Sequence, residues 1–214
     1  TTVVEAGKDV AGDNSASGQL TVSDVDDGEA VFQEPASLEG TYGTFTFNAS
    51  TGAWTYTLDE SKADALNAND AATDSLVVTS KDGTASETIT VNITGSNDGA
   101  TITASDSEDT TVVEAGKDEA GDSQAGGKLT VADVDAGENV FNVPADLTGQ
   151  YGTFEFNADG TWTYTLDNDK ADALVEGQPV TDTLTVTSKD GTATETITVN
   201  ITGSNDGATI TASD

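Results

Sequence analysis

Apolar and polar residues alternate along most of this chain, the two-residue period of strands with one buried face. Leu20 and Val22 alternate with Thr and Ser, and Phe45 and Phe47 with Thr44 and Thr46. Trp54, Tyr56 and Leu58 flank Thr55 and Thr57, while Ile89, Val91 and Ile93 flank Thr90 and Asn92. Turn signals separate these runs at Asp27-Gly28, Thr51-Gly52 and Lys81-Asp82-Gly83. The period breaks between Glu60 and Asn69, where Lys62, Ala63 and Leu66 predict one short helical turn. About seven strands joined by short loops predict an all-β, two-sheet antiparallel β-sandwich. Its inward set is Leu20, Val22, Phe45, Phe47, Trp54, Tyr56, Leu76, Val78, Ile89 and Val91. The chain has no cysteine, so this core must hold without a disulfide.

The pattern occurs twice. TTVVEAGKD begins at Thr1 and again at Thr110, Trp54 returns as Trp162, and ETITVNITGSNDGATITASD begins at both Glu87 and Glu195. The chain therefore reads as two tandem modules of about 105–110 residues, an ordinary domain size. The expected boundaries are residues 1–98, 99–206 and 207–214, the last being the start of a third repeat. Ala100–Asp109 leads into the second copy and has no counterpart ahead of the first. With no initiator Met, the sequence reads as a piece of something longer.

Composition excludes much chemistry. The 214 residues carry 39 acidic groups against 7 lysines, a net charge of −32, with no Arg, His, Cys or Met. Thiolate and imidazole catalysis and ordinary zinc or copper sites are therefore absent. Nothing can neutralise a phosphate backbone, so no nucleic-acid partner is expected, and an anionic membrane would repel the chain. No apolar run approaches the roughly 20 residues of a membrane span. Few apolar residues with high charge would indicate disorder. Here 35% of residues are hydrophobic and regularly placed, so the chain is read as folded, with its self-repulsion cancelled by divalent cations.

Alternate loops of a sandwich emerge at opposite ends. One end of the first copy then gathers Asp24, Asp26 and Asp82, with Asp27 and Asn48 nearby. The other gathers Glu5, Asp59, Glu60, Asn97 and Asp98. Stacked end to end, the second group is expected to meet Asp133, Asp135 and Asp190 of the next copy, with Glu114, Asp167, Asn205 and Asp206 repeating the lower half-site. Seven carboxylates and one amide at one junction call for a hard cation, and calcium takes 6–8 oxygen ligands in flexible geometry. Alternate residues of an extended segment point the same way, so Asp133 and Asp135 can share an ion. Asp13, Asp64 and Asp74 read as turn or cap residues, and Asp9 as undecided.

The order Glu5, Leu58-Asp-Glu60, Asn97-Asp98 and Asp133-Val-Asp135 is similar to the interdomain calcium pattern of cadherins. More closely, both copies resemble VCBS repeats, the cadherin-like modules found in tandem in very large bacterial RTX adhesins. Gly18-Gln-Leu-Thr-Val-Ser-Asp-Val-Asp26, Gly160-Thr-Trp-Thr-Tyr-Thr-Leu-Asp-Asn168 and Thr94-Gly-Ser-Asn-Asp98 carry the likeness. It implies immunoglobulin-like or cadherin-like sandwiches placed end to end in a calcium-stiffened extender. That module would be exported, by type I secretion, to the bacterial surface, where neighbouring repeats of the same chain are its partners and each module is monomeric. Asn168 replaces Glu60 and Ala136 replaces Asp27 in the second copy, which weakens its lower half-site and makes Asp27 dispensable.

Other readings have less to stand on. Scattered surface acids can simply solvate a protein, but solvation does not require them to collect at loop ends. Outward Thr55, Thr57, Thr88 and Thr90 are ordinary strand-face residues. Paired carboxylates serve glycosidases, yet no aromatic-lined cleft is evident, so no enzyme is expected. A calcium-dependent glycan-binding or homophilic adhesin domain is the alternative. It calls for a differentiated loop or an exposed apolar anchor, and near-identical copies with short loops offer neither.

Overall fold

The computed structural model describes residues 1–211. It divides into two units, Thr1–Gly99 with Val134–Ala136, and Ala100–Asp133 with Gly137–Asp214. Each has its own hydrophobic core.

The first unit contains β1 (Thr2–Val4), β2 (Ser15–Gln19), β3 (Gly43–Phe47), β4 (Ala53–Leu58), α1 (Glu60–Ala63), β5 (Ala71–Thr79) and β6 (Ser86–Thr94). Two three-stranded sheets, β1-β6-β5 and β2-β4-β3, form it. The second contains β7 (Thr101–Ala104), β8 (Thr111–Val113), β9 (Gln124–Ala132), β10 (Phe141–Asn142), β11 (Gly152–Phe156), β12 (Thr161–Leu166), α2 (Asn168–Ala171), β13 (Pro179–Ser188) and β14 (Thr194–Thr202). Its sheets are four-stranded, β10-β13-β14-β8 and β11-β12-β9-β7. The fold is thus all-β, two sandwiches in tandem. The pairing is antiparallel except where the short strand β1 lies parallel to β6, and β8 parallel to β14.

The alternation places the core as its period requires. Phe45, Trp54, Tyr56, Leu58, Leu76, Val78, Ile89, Val91 and Ile93 are buried, while Thr55, Thr57, Thr88 and Thr90 face out. Phe45 and Tyr56 stack with centroids 4.8 Å apart, as do Phe154 and Tyr164. The predicted helical turn is α1, with Ala63 fully buried beneath it.

Leu20 packs against the first core, as its phase requires, but it and Val22 are half-buried and lie past the end of β2 at Gln19. Their counterparts Leu129 and Val131 lie within β9, and Leu129 is 1% exposed. β7 pairs with the far half of β9 in the register Thr101↔Ala132 to Ala104↔Leu129, and among the described residues no strand pairs with Leu20–Ser23. Of Gly207–Asp214, the residues through Thr211 form no strand, and the remainder of that expected third repeat lies outside the described residues.

Candidate functional site

Glu5 follows β1 and is held where that strand ends against β6. Its backbone N–H donates to Thr94 at 3.0 Å and its carbonyl accepts the Ser96 hydroxyl at 2.7 Å. The side chain turns inward with no solvent exposure. Oε2 accepts the Ser96 N–H at 3.0 Å; Oε1 has no hydrogen-bond partner. Carboxylate oxygens of Glu5, Asp64 and Asp98 lie within 4.8 Å of one another. The second unit repeats this. Glu114 is fully buried, its Oε2 accepts the Ser204 N–H at 2.8 Å, its Oε1 lacks a partner, and it groups with Asp172 and Asp206.

A buried carboxylate beside other carboxylates is unfavourable twice over. Desolvation is the larger effect, and repulsion from Asp98, Asp64 and Asp135 adds to it. Against the lowering influence of the Ser96 N–H, they push the Glu5 carboxyl up to about 7. At 4.8 Å and an effective dielectric of about 20, each like-charged pair costs roughly 3 kcal/mol. Only oxygen donors are present, and one oxygen of each buried Glu has no hydrogen-bond partner. That donor set fits a hard divalent cation and offers nothing to a soft one.

Glu60 and Asp98 border the same place. Glu60 Oε2 accepts the Ala6 N–H at 3.1 Å, and the Asp98 N–H donates to Asp135 Oδ2 at 2.8 Å. Asp135 is 1% exposed. Asn97 donates its side-chain amide to the Asp98 carbonyl, and its own carbonyl accepts the Lys8 N–H at 2.8 Å. Asn205 bonds Asp206 and Lys117 in the same way. Asn168 Oδ1 accepts the Ala115 N–H at 3.0 Å, so the amide keeps the loop contact that Glu60 makes while removing a charge.

Asp59 and Asp167 lie apart from these groups. Both are exposed N-caps of the short helices, 3.9 Å from Lys62 and Lys170 respectively. Such solvent-screened pairs contribute little.

A second kind of group occupies the opposite loops. Asp24, Glu29 and Asp82 cluster in the first unit, and Asp133, Glu138 and Asp190 in the second. Hydrogen bonds from Ser80 and Thr84 hold the Asp82 carboxyl down at about 2, fully ionised. Asp190 Oδ1 accepts hydrogen bonds from the Ser188 hydroxyl at 2.5 Å and the Thr192 N–H at 3.2 Å. Asp26 is exposed, and its N–H bonds Asp24 Oδ1 at 2.9 Å.

Sequence reading took Asp64 for a turn or cap residue, and it is the C-cap of α1, but its place among the acids was not foreseen; Glu29 and Glu138 were passed over. Comparing the two copies could have found them. Lys-Ala-Asp-Ala-Leu recurs at Lys62 and Lys170 although Glu60 becomes Asn168, and Gly-Glu recurs at Gly28 and Gly137 although Asp27 becomes Ala136.

Asp74 has a different task. It sits on the core face of β5, in phase with Leu76 and Val78, and is 3% exposed. It accepts the N–H groups of Thr41, Tyr42 and Gly43 at 2.8, 2.9 and 3.1 Å, and the Tyr56 hydroxyl at 2.7 Å. A Cβ on Gly40 would lie 2.2 Å from Asp74 Oδ2, so only glycine lets the loop wrap the carboxylate. Asp182 anchors Gln150, Tyr151 and Gly152 identically. These aspartates are structural anchors.

Paired sandwiches with acids at their loop ends define a cadherin-like class of module. The chain belongs to the bacterial cadherin-like domain family, whose model matches residues 97–203. No curated protein matches it in sequence. Among solved structures it is similar to protocadherin gammaB7 EC3-6, at 15% identity and TM-score 0.47, over 94% of this chain and 45% of that one. Drosophila N-cadherin EC1-3 aligns at 13% identity and TM-score 0.37, over 86% and 57%. Mouse clustered PcdhgC3 EC1-3 aligns at 15% and 0.35, over 96% and 64%. The chain thus spans about half to two-thirds of the length of these structures. Among the described residues no helix is long and apolar enough to cross a membrane.

Proposed function

We propose that the chain is a pair of calcium-stiffened spacer repeats from a large bacterial cell-surface adhesin of the VCBS and RTX type, holding adhesive domains away from the cell. Family membership supports an adhesion-type extracellular module. The observation that carries the calcium reading is the twice-repeated buried glutamate, Glu5 and Glu114, each with one unpartnered oxygen among further carboxylates. A divalent ion supplies the missing partner and removes the repulsion.

In this reading the first unit's ligands come from Glu5, Glu60, Asp64, Asp98 and Asp135, with the carbonyl-rich Asn97 segment beside them. Asp133, Glu138 and Asp190 form the second acidic group. Ions that bind only the folded form add stability by mass action and fix the loops that carry them. Affinity falls at about 10⁻⁴–10⁻³ M per site, the range of extracellular calcium modules. With its hinges fixed, each repeat adds roughly 40 Å, from strands rising ~3.3 Å per residue plus loops. Duplication then adds reach, whereas recognition calls for one differentiated surface.

Calorimetric titration with calcium tests this on the intact chain and on Glu5→Gln and Glu114→Gln. Saturable binding that weakens at least tenfold at the altered site is expected. Absence of binding at millimolar calcium, or identical isotherms for all three proteins, contradicts the reading.

A further inference from the structure

Of the 7 lysines, Lys8, Lys62 and Lys81 recur in the second copy as Lys117, Lys170 and Lys189. Lys81 and Lys189 stand immediately before Asp82 and Asp190, in Ser80-Lys-Asp-Gly-Thr84 and Ser188-Lys-Asp-Gly-Thr192. Each bonds twice to the turn that carries the glutamate of the same acidic group. The Lys81 N–H donates to the Val31 carbonyl at 3.0 Å, and its ammonium to the Gly28 carbonyl at 2.8 Å. Lys189 does the same to Val140 and Gly137, both at 3.0 Å. Glu29 and Glu138 lie between those anchor points. Gly28 and Gly137 have φ of 79° and 77°, left-handed backbone that glycine takes without strain. The lysines are themselves fixed, for Gln33 Nε2 donates to the Lys81 carbonyl at 3.2 Å and Asn142 Nδ2 to the Lys189 carbonyl at 3.1 Å.

Three carboxylates within 4.8 Å of one another repel, which drives the turn that carries the glutamate away from Asp82 or Asp190. The ammonium opposes this. In the second unit Lys189 Nζ lies 4.0 Å from Glu138 Oε1, with 47% of the lysine side chain exposed. At that distance and exposure the ion pair alone is weak, so the charged hydrogen bond to the glycine carbonyl is what keeps the charge in place. We propose that Lys81 and Lys189 are positioning residues, resident cations that latch Glu29 and Glu138 beside Asp82 and Asp190 while no divalent ion is bound. A cation then enters a group that is already formed. That use of the latch rests on the calcium reading above, whereas the latch itself is made without metal. Lysine and calcium are interchangeable holders of one turn.

Amide hydrogen exchange of the full chain, read by NMR in chelator and in millimolar calcium, tests this. The reporters are the amide at position 189 and that of Val140, which donates to the Glu138 carbonyl at 2.7 Å. In chelator, Lys189→Met should keep the circular dichroism of the parent yet exchange about tenfold faster at both amides. Lys189→Arg, which retains the charge and the donor, should exchange at the parent rate. Millimolar calcium should return Lys189→Met to that rate as well. Lys81→Met should act in the same way on position 81 and Val31, and it decides the matter if Lys189→Met fails to fold. Lys189→Met exchanging like the parent in chelator, or Lys189→Arg exchanging as fast as Lys189→Met, overturns the proposal. Fast exchange of Lys189→Met that calcium does not slow upholds the latch and contradicts the calcium reading of this group.

Discussion

Glu5 is buried, desolvated and surrounded by like charge, which fixes the sign of its pH dependence. Its folded pKa of about 7 lies above the unfolded 4.5. Between those values the calcium-free folded state binds more protons than the unfolded chain, so stability falls as pH rises through that window and is lowest above it. Urea midpoints in chelator should therefore be lower at about pH 8 than at about pH 5. Saturating calcium should flatten this, because a bound cation favours the ionised form. Glu5→Gln removes the charge altogether. The variant should be more stable than the parent in chelator, on the order of 2 kcal/mol near neutral pH, and should lose most of the calcium-induced rise in melting temperature. A variant that is less stable in chelator yet still responds to calcium would contradict the assignment. Asp74 should behave oppositely. Four donors converge on its carboxylate, so Asp74→Asn should cost about 3 kcal/mol with or without calcium, read as a fall in the first unit's unfolding midpoint.

Strand β9 is nine residues long and its counterpart β2 only five, although the sequences correspond. Alternation alone could not reveal this, since pairing depends on a partner that the period does not encode. Leu129 faces the core from the stretch of β9 that pairs with β7, whereas Leu20 is half-buried past the end of β2. Leu129→Ala should cost about 3 kcal/mol and Leu20→Ala about 1, measured as separate shifts in the two unfolding transitions. The core strands β3 to β6 were legible because Phe45, Trp54, Tyr56, Leu76 and Ile89 keep strict phase with polar neighbours. The candidate site was legible in part. Glu5 and Asp98 stand next to strand ends, where loop order predicts them. Asp64 sits one residue past a four-residue helix whose course a two-residue period does not describe, and Glu29 lies in a loop with no period at all. Asp74 kept phase with Leu76, so its burial was encoded, but its role as a loop anchor depends on residues 41–43, more than thirty positions away.

At the scale of the whole chain, a charge of −32 with only 7 lysines leaves external cations as the main means of relieving repulsion. If calcium fixes the loops that end each sandwich, the ion controls dimensions as well as stability. Replacing both Asp133 and Asp135 by Asn should remove the calcium dependence of the radius of gyration while circular dichroism still reports folded sandwiches. Unfolding of both units would instead mean that these acids serve the fold. The most direct measurement is small-angle scattering of the intact chain at low protein concentration, in millimolar calcium and then in chelator. The account predicts a longer, narrower distance distribution with calcium and a broader, less defined one after chelation. Identical scattering curves and identical melting temperatures in the two buffers would contradict it.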